Sequence, residues 1–264
     1  MISRRSILVG GGALVAVASG AGIYRISSLA DDIRAPLLYA FGPHEFASRI
    51  QVLSGQVEGT GLFNANRIKP QYPEWNGGPV INRELHVRSL SSPSSRAVTT
   101  PNNDTLYTSA VLDLSVGPIE VIAPSPQDRY FSIAFMDAFN DQVAYIGSRA
   151  TGGRGGRYWI IGPGQTVDVP SDVEPIRLLS NDVWMLGRVF VAGEQDLENA
   201  RAIQSQISAR PVTQSAAGRP FLTKPSDQPD AKNFLALTNE ILGRNPDALQ
   251  SARASEFDNF GISP

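Results

Sequence analysis

A chain of 264 residues with 42% hydrophobic and 18% charged positions can bury a real core and carries too little charge for disorder. Its net charge of −2, with no Lys/Arg run beyond the N-terminus, excludes the basic footprint that nucleic-acid phosphates require. Cysteine is absent, which excludes disulfides, thiolate nucleophiles and Cys-held zinc or iron–sulfur clusters.

At the N-terminus, Arg4-Arg5 precedes an uncharged stretch of apolar and small residues from Ser6 to Tyr24. This is the layout of an export signal, and S-R-R-S-I-L resembles the twin-arginine type, with A-V-A at Ala16–Ala18 as a small-residue cleavage site. The alternative is an uncleaved N-terminal membrane anchor, for which the run is marginal against the ~20 apolar residues of a span. Either reading sets residues 1–26 apart and places the globular part outside the cytoplasm, in the periplasm or cell envelope.

The lead-in, 27–84, reads as helix and loop. Leu29, Ile33, Leu37 and Phe41 predict a helix over 27–41, and Phe46, Ile50 and Leu53 a second over 43–53, with Gly42-Pro43 separating them. Pro36 is a further candidate for a kink. A loop follows over Thr60–Gly78. His44 and His86 are the only histidines, and no third ligand is spaced to make a metal site with them. His86, in E-L-H-V-R, reads as a polar residue on a short strand.

Period-two patterning over Leu106–Leu114 predicts a strand, ended by Val116-Gly117-Pro118. Ile119–Ala123 is the next strand, and a hairpin is the economical connection between the two. Arg129–Met136, Val143–Gly147 and Arg157–Ile161 follow, the last after the glycines of 152–156. Connections this short predict antiparallel pairing. Thr166–Val169 and Ile176–Leu179 read as short strands, and Asp182–Ala192 as a central strand buried on both faces or nearly so. The fold class is α+β: a mainly antiparallel, sandwich-like β core of about nine strands from 85 to 192, within a core domain spanning 85–210, with flanking N- and C-terminal helices.

After that core, Leu197, Ala200, Ile203 and Ile207 recur at helical spacing, with Glu194 and Asp196 in the first turn. Residues 211–230 form a polar, Pro-bearing linker. The tail, 231–264, contains a helix over 231–243 and another from Asn245-Pro246 to about 256. Phe234, Leu237, Ile241, Leu242 and Leu249 make an apolar stripe there that either docks on the core or seats a separate domain.

The ordered series P-N-N-D-T-L-Y-T-S-A-V-L-D-L (101–114), G-P (117–118), R-Y (129–130), M-D-A-F (136–139), I-G-S-R-A-T-G (146–152) and I-G-P-G (161–164) resembles the bacterial family catalogued as domain of unknown function 1254. The resemblance spans roughly Leu37 to Ile207. Longer relatives continue into a second domain, numbered 1214, where this sequence ends. The resemblance therefore implies a separately encoded protein carrying that second domain as partner, and assigns no activity.

Asn102, Asp104, Tyr107, Arg129, Tyr130, Asp137 and Arg149 are the candidate ligand-binding residues, set at one end of the sheet. Carboxylates move protons, Arg clamps a carboxylate through its planar fork, and Tyr donates to a developing anion. The bland reading is that Asn102 and Asp104 cap the opening turn while Asp104 or Asp137 pairs Arg129 or Arg149 inside the sandwich. No G-x-S-x-G motif or P-loop is present. An oxygen-held cation at Asn102, Asn103, Asp104, Asp137 and Asp141 lacks the usual acidic loop pattern, so no metal or cofactor is assigned. Two classes stay open: an exported subunit that binds a small polar or anionic ligand or a partner, or an enzyme acting on an organic acid or sugar-like substrate at the Asp/Tyr/Arg cluster.

Overall fold

The structure, a computed structural model, describes residues 32–57, 65–75, 77–92, 101–213 and 218–263. Residues 1–26, on which the export expectation falls, and the start of the expected helix 27–41 lie outside them. In chain order the elements are helices α1 (Arg34–Leu53) and α2 (Ala65–Ile68), then strands β1 (Glu84–Val87), β2 (Thr105–Asp113), β3 (Ile119–Ala123), β4 (Phe131–Met136), β5 (Gln142–Gly147), β6 (Gly156–Ile161), β7 (Val173–Arg177) and β8 (Asp182–Phe190). Helix α3 (Leu197–Gln204), strand β9 (Ser208–Pro211) and helices α4 (Ala231–Arg244) and α5 (Ala248–Ser255) complete them.

Two sheets face each other. One has the order β1-β2-β8-β4-β5 and the other β7-β6-β3-β9. Alternation decides the layers: Leu106, Ala110 and Leu112 of β2, Val183, Met185 and Val189 of β8, and Phe131, Ile133 and Phe135 of β4 point inward against Ile119, Val121 and Ile160. As expected, β8 is central, flanked by β2 and β4. Its inner face is fully buried, whereas Trp184, Leu186 and Arg188 on the outer face keep partial exposure.

The second sheet departs from expectation. β2 and β3 do not form a hairpin, because a 3-10 turn at Leu114–Val116 and Gly117, at φ +131°, carry the chain across to the other sheet. Asp113 caps that turn by accepting from Ser115 N at 3.1 Å. Pairing is antiparallel except between β6 and β7, which run parallel. The strand expected at Thr166–Val169 is coil that serves as their connection, held by the Gln165 side chain on Leu114 O. The strand expected at Ile176–Leu179 starts earlier, at Val173. β9, after α3, completes the sheet beside β3.

α1 runs unbroken through Gly42-Pro43, where two helices were expected. Pro36 falls in the first turn, where a missing N–H costs nothing. Pro43 withdraws one donor, but the helix is held there from outside: Asn140 Nδ2 donates to Gly42 O at 2.9 Å, and Gly42 lies against the Phe139 carbonyl. Phe46, Ile50 and Leu53 of α1 pack with Leu237 and Ile241 of α4 over Val111, Leu85 and Trp184. The apolar stripe of α4 is thus buried within the chain, its Leu237 and Ile241 at 0% exposure. Lead-in and tail share one core over the outer face of the larger sheet. The segment expected as a polar linker is anchored from Gly218 onward: Arg219 donates to Asp113, and Phe221 is buried with its N–H on Gln56 Oε1.

Candidate functional site

At one end of the larger sheet, where β2 and β4 begin and β5 and β8 end, six of the seven candidate residues lie. Asn102 Oδ1 accepts from Asp104 N at 3.0 Å, a local turn bond. Tyr107 Oη in turn accepts from Asn102 N at 2.9 Å. Arg129 forks onto Asp196, at 2.5 and 2.6 Å, and donates to Phe190 O at 2.6 Å. Its partner is therefore Asp196, and neither Asp104 nor Asp137. Hydrogen bonds from Arg129 and from Ala192 N hold the Asp196 carboxyl well below the usual range.

Arg149 lies at this end as well, on the turn after β5, where Ser148 N donates to Phe131 O at 3.0 Å, and Asp137 alone stands apart. Asp137 follows the far end of β4, a strand length of ~20 Å from Tyr130 at ~3.3 Å per residue. Its Oδ1 accepts from Phe139 N (2.8 Å) and Asp141 N (3.0 Å), closing the turn into β5. Burial raises its pKa against those bonds. Arg149 is exposed on the turn after β5. The seven do not converge on one cleft, and Asn102, Asn103 and Asp104 are separated from Asp137 and Asp141 by the same strand length. Among the described residues, no three His, Asp or Glu side chains are placed to hold a metal ion.

What the first end does present is a face. On the outer side of the sheet, Tyr107 lies opposite Arg188, whose guanidinium sits 5.7 Å from the ring centroid. The next row brings Phe190 beside Tyr130, whose carbonyl accepts from Phe190 N at 3.0 Å. Phe190 is 37% and Tyr130 40% exposed, and Leu186 is half-buried between this row and the helices. α1 and α4 cover the other half of the same side. Arg188 and Phe190 were not singled out in the sequence, although period two within 182–192 places both on one face with Trp184 and Leu186.

The opposite end of the sheet holds the densest charge cluster, also unanticipated. Asp113 and Asp182 face each other in register, and both are 1% exposed. Arg244 forks onto Asp182 at 2.7 and 2.9 Å, and Arg219 donates to Asp113 through its backbone N (2.8 Å) and Nε (3.0 Å). Asn245 Oδ1 accepts from Ser180 Oγ and from the backbone N–H of Asn181 and Asp182, each at 2.8 Å. The cavity beside Asp113 and Arg244 measures about 10 Å³, room for one water at most. Burial pushes the Asp182 carboxyl up against the pull of Arg244. Burial acts on Asp113 too, but hydrogen bonds from Arg219 and Ser115 outweigh it and hold that carboxyl down. Every charge here is spent joining β2 and β8 to the tail.

A third polar group closes the open edge of the sandwich. Glu84 on β1 pairs with Arg210 on β9 and accepts from Ala209 N at 2.9 Å. Next to it, His86 Nδ1 lies 2.9 Å from Thr108 Oγ1. Burial, with Arg88 and Arg210 nearby, lowers its pKa to about 4, so the ring is neutral near pH 7.

Two packed, mostly antiparallel sheets with flanking helices define an α+β protein with a sandwich-like core. Residues 81–211 match the family described as "Protein of unknown function (DUF1254)", and the chain carries a domain of that family. Among solved structures, the chain is similar to the VPA0106 protein of Vibrio parahaemolyticus, at 22% identity and TM-score 0.59, over 86% of this chain and 50% of that one. It is also matched to an uncharacterised protein of Burkholderia cenocepacia, at 12% identity and TM-score 0.36, over 83% and 52%. The chain thus spans about half the length of the solved proteins it matches. A search of curated proteins gives no match.

Proposed function

We propose that the chain is an exported binding subunit without catalysis of its own, which docks a partner domain on the outer face around Tyr107, Arg188, Phe190 and Tyr130. The observation that carries this reading is the make-up of that face. Aromatic residues and one Arg lie half-exposed beside a well-packed helical cover, and Tyr, Phe and Arg are the residues enriched in interface centres. Among the described residues, the strongest charge clusters are closed upon themselves, whereas this face keeps aromatic rings and an Arg half-exposed. The longer solved relative has as much chain again beyond the matched half. The proposed partner is a separately encoded protein supplying such a second domain, of the 1214 type.

The test is site-specific photo-crosslinking in the native envelope. A photoreactive residue at Phe190 should capture a second-domain protein, identified by mass spectrometry, and Arg188→Glu should abolish the capture. The same probe at Leu222, 91% exposed and away from this face, should capture none. Equal capture at both positions, or none at Phe190, would count against the reading. A second reading, a small anionic ligand seated on Arg188 and Tyr107, is favoured by their stacked arrangement. Saturable binding of a carboxylate to the isolated chain, lost in Arg188→Ala, would select it.

A further inference from the structure

The edges of the two sheets are protected unequally. Beside β1 lies Gln71, whose amide donates to His86 O at 3.0 Å and accepts from His86 N at 2.8 Å, imitating a neighbouring strand. β7 carries Glu174, Pro175 and Arg177, and β9 carries Arg210 and Pro211. Charge and proline on an edge strand discourage pairing with another chain. β5, the last strand of the larger sheet, has neither in its sequence Q-V-A-Y-I-G.

A register shift at Phe135/Met136 distorts only the first residues of β5. Beyond it the ladder is regular, and Ser148 N donates to Phe131 O at 3.0 Å. Antiparallel alternation then turns the backbone groups of Ile146 and Ala144 toward β4 and those of Tyr145 outward. The Tyr145 side chain is 45% and that of Val143 41% exposed. An uncharged strand with outward N–H and C=O groups is a template for another strand.

We propose that β5 pairs antiparallel with β5 of a second copy of this chain, about a two-fold axis at Tyr145, so that the larger sheet continues into its mate. The distribution of charge selects a second copy as the occupant. Asp141 and Arg149 are both exposed and lie equally far before and after Tyr145 in the chain. Asp141 precedes β5 and Arg149 lies on the turn that follows Gly147, so antiparallel pairing about Tyr145 brings the Asp141 end of each copy to the Arg149 end of the other, whereas parallel pairing would bring like to like. The two Tyr145 rings meet as a cross-strand aromatic pair on the outer face. A net charge of −2 opposes association only weakly. One strand pair is a small interface, so the dimer forms in proportion to concentration.

Sedimentation velocity on the purified full chain tests this. A monomer–dimer equilibrium is expected, weakened at least tenfold by Arg149→Asp and by Asp141→Arg singly, and restored when the two are combined. Tyr145→Lys should leave a monomer with an unchanged circular dichroism spectrum. Since the chain has no cysteine, Tyr145→Cys gives a single thiol that a short bismaleimide should link between copies, while Leu222→Cys should not link. A chain that stays monomeric at every concentration overturns the proposal, and so does a dimer indifferent to Arg149→Asp that links through Leu222→Cys.

Discussion

Asp113 and Asp182 stand directly opposite each other on β2 and β8, both buried, and each carboxylate is held by a different arginine from the C-terminal segment. Two acids in neighbouring strands repel unless each is matched, so the sheet end is completed only when Arg219 and Arg244 are delivered by the chain that follows β9. The ion pairs set where that segment and α4 dock.

Removing one member should therefore destabilise the whole protein. Asp182→Ala leaves Arg244 and the Asn245 amide without their buried acceptor, and a loss of about 3 to 5 kcal/mol is expected in urea unfolding. Replacing Asp182 and Arg244 together by Leu and Met should cost markedly less, since no charge is then stranded. A single-mutant loss below about 1 kcal/mol would show that the pair is solvated.

Stability should also fall on mild acidification because of His86. Its folded pKa, about 4, lies below the ordinary 6.5. The unfolded chain thus takes up the proton first as pH falls. The contribution is fully present above pH ~6.5 and disappears between there and pH ~4, about 3 kcal/mol in all. His86→Gln should flatten the unfolding free energy over that window relative to wild type. An identical pH profile in both proteins would refute the assignment.

Helix α4 should behave as part of the core. Ile241→Ala and Leu237→Ala, at positions with no exposure, should each cost about 2 to 5 kcal/mol in a single cooperative transition. Phe234→Ala should cost less, because that ring is only partly buried and stacks on His44 at 4.5 Å. Separate melting of the tail would contradict this.

Much of the fold was legible because strands such as β3 carry their bounds in the chain: Gly117-Pro118 before it and Pro124 after it mark Ile119–Ala123 directly. What misled was long-range. Gly42-Pro43 reads locally as a helix stop, yet α1 continues because Phe139 and Asn140, distant in sequence, close around it. The β2–β3 hairpin was the shortest connection, but Asp113 and Gly117 turn the chain into the other sheet. For the site, clustering in sequence drew Asp137 and Arg129 together although a strand separates them. The true partner, Asp196, sits beyond β8, where its spacing suggested only a helix dipole. Asp113 and Asp182 carried one readable signal, a charge ending an apolar strand.

Export is testable independently of the fold. The proposal rests on Arg4-Arg5 ahead of the uncharged run Ser6–Tyr24. A tagged chain should fractionate with the envelope, and replacing both Arg by Lys should block its transport. Full-length chain recovered from the cytoplasm with residues 1–24 intact would contradict it.

Hydroxyl-radical footprinting of the chain alone and in the complex recovered through its tag tests the binding-face proposal most directly. Labelling of Tyr130 and Phe190 should fall several-fold on association, while Leu222 and Phe260, exposed elsewhere, stay as reactive as in the free chain. Unchanged labelling of Tyr130 and Phe190, with protection of Leu222 or Phe260 instead, would place the partner on another surface and contradict the account.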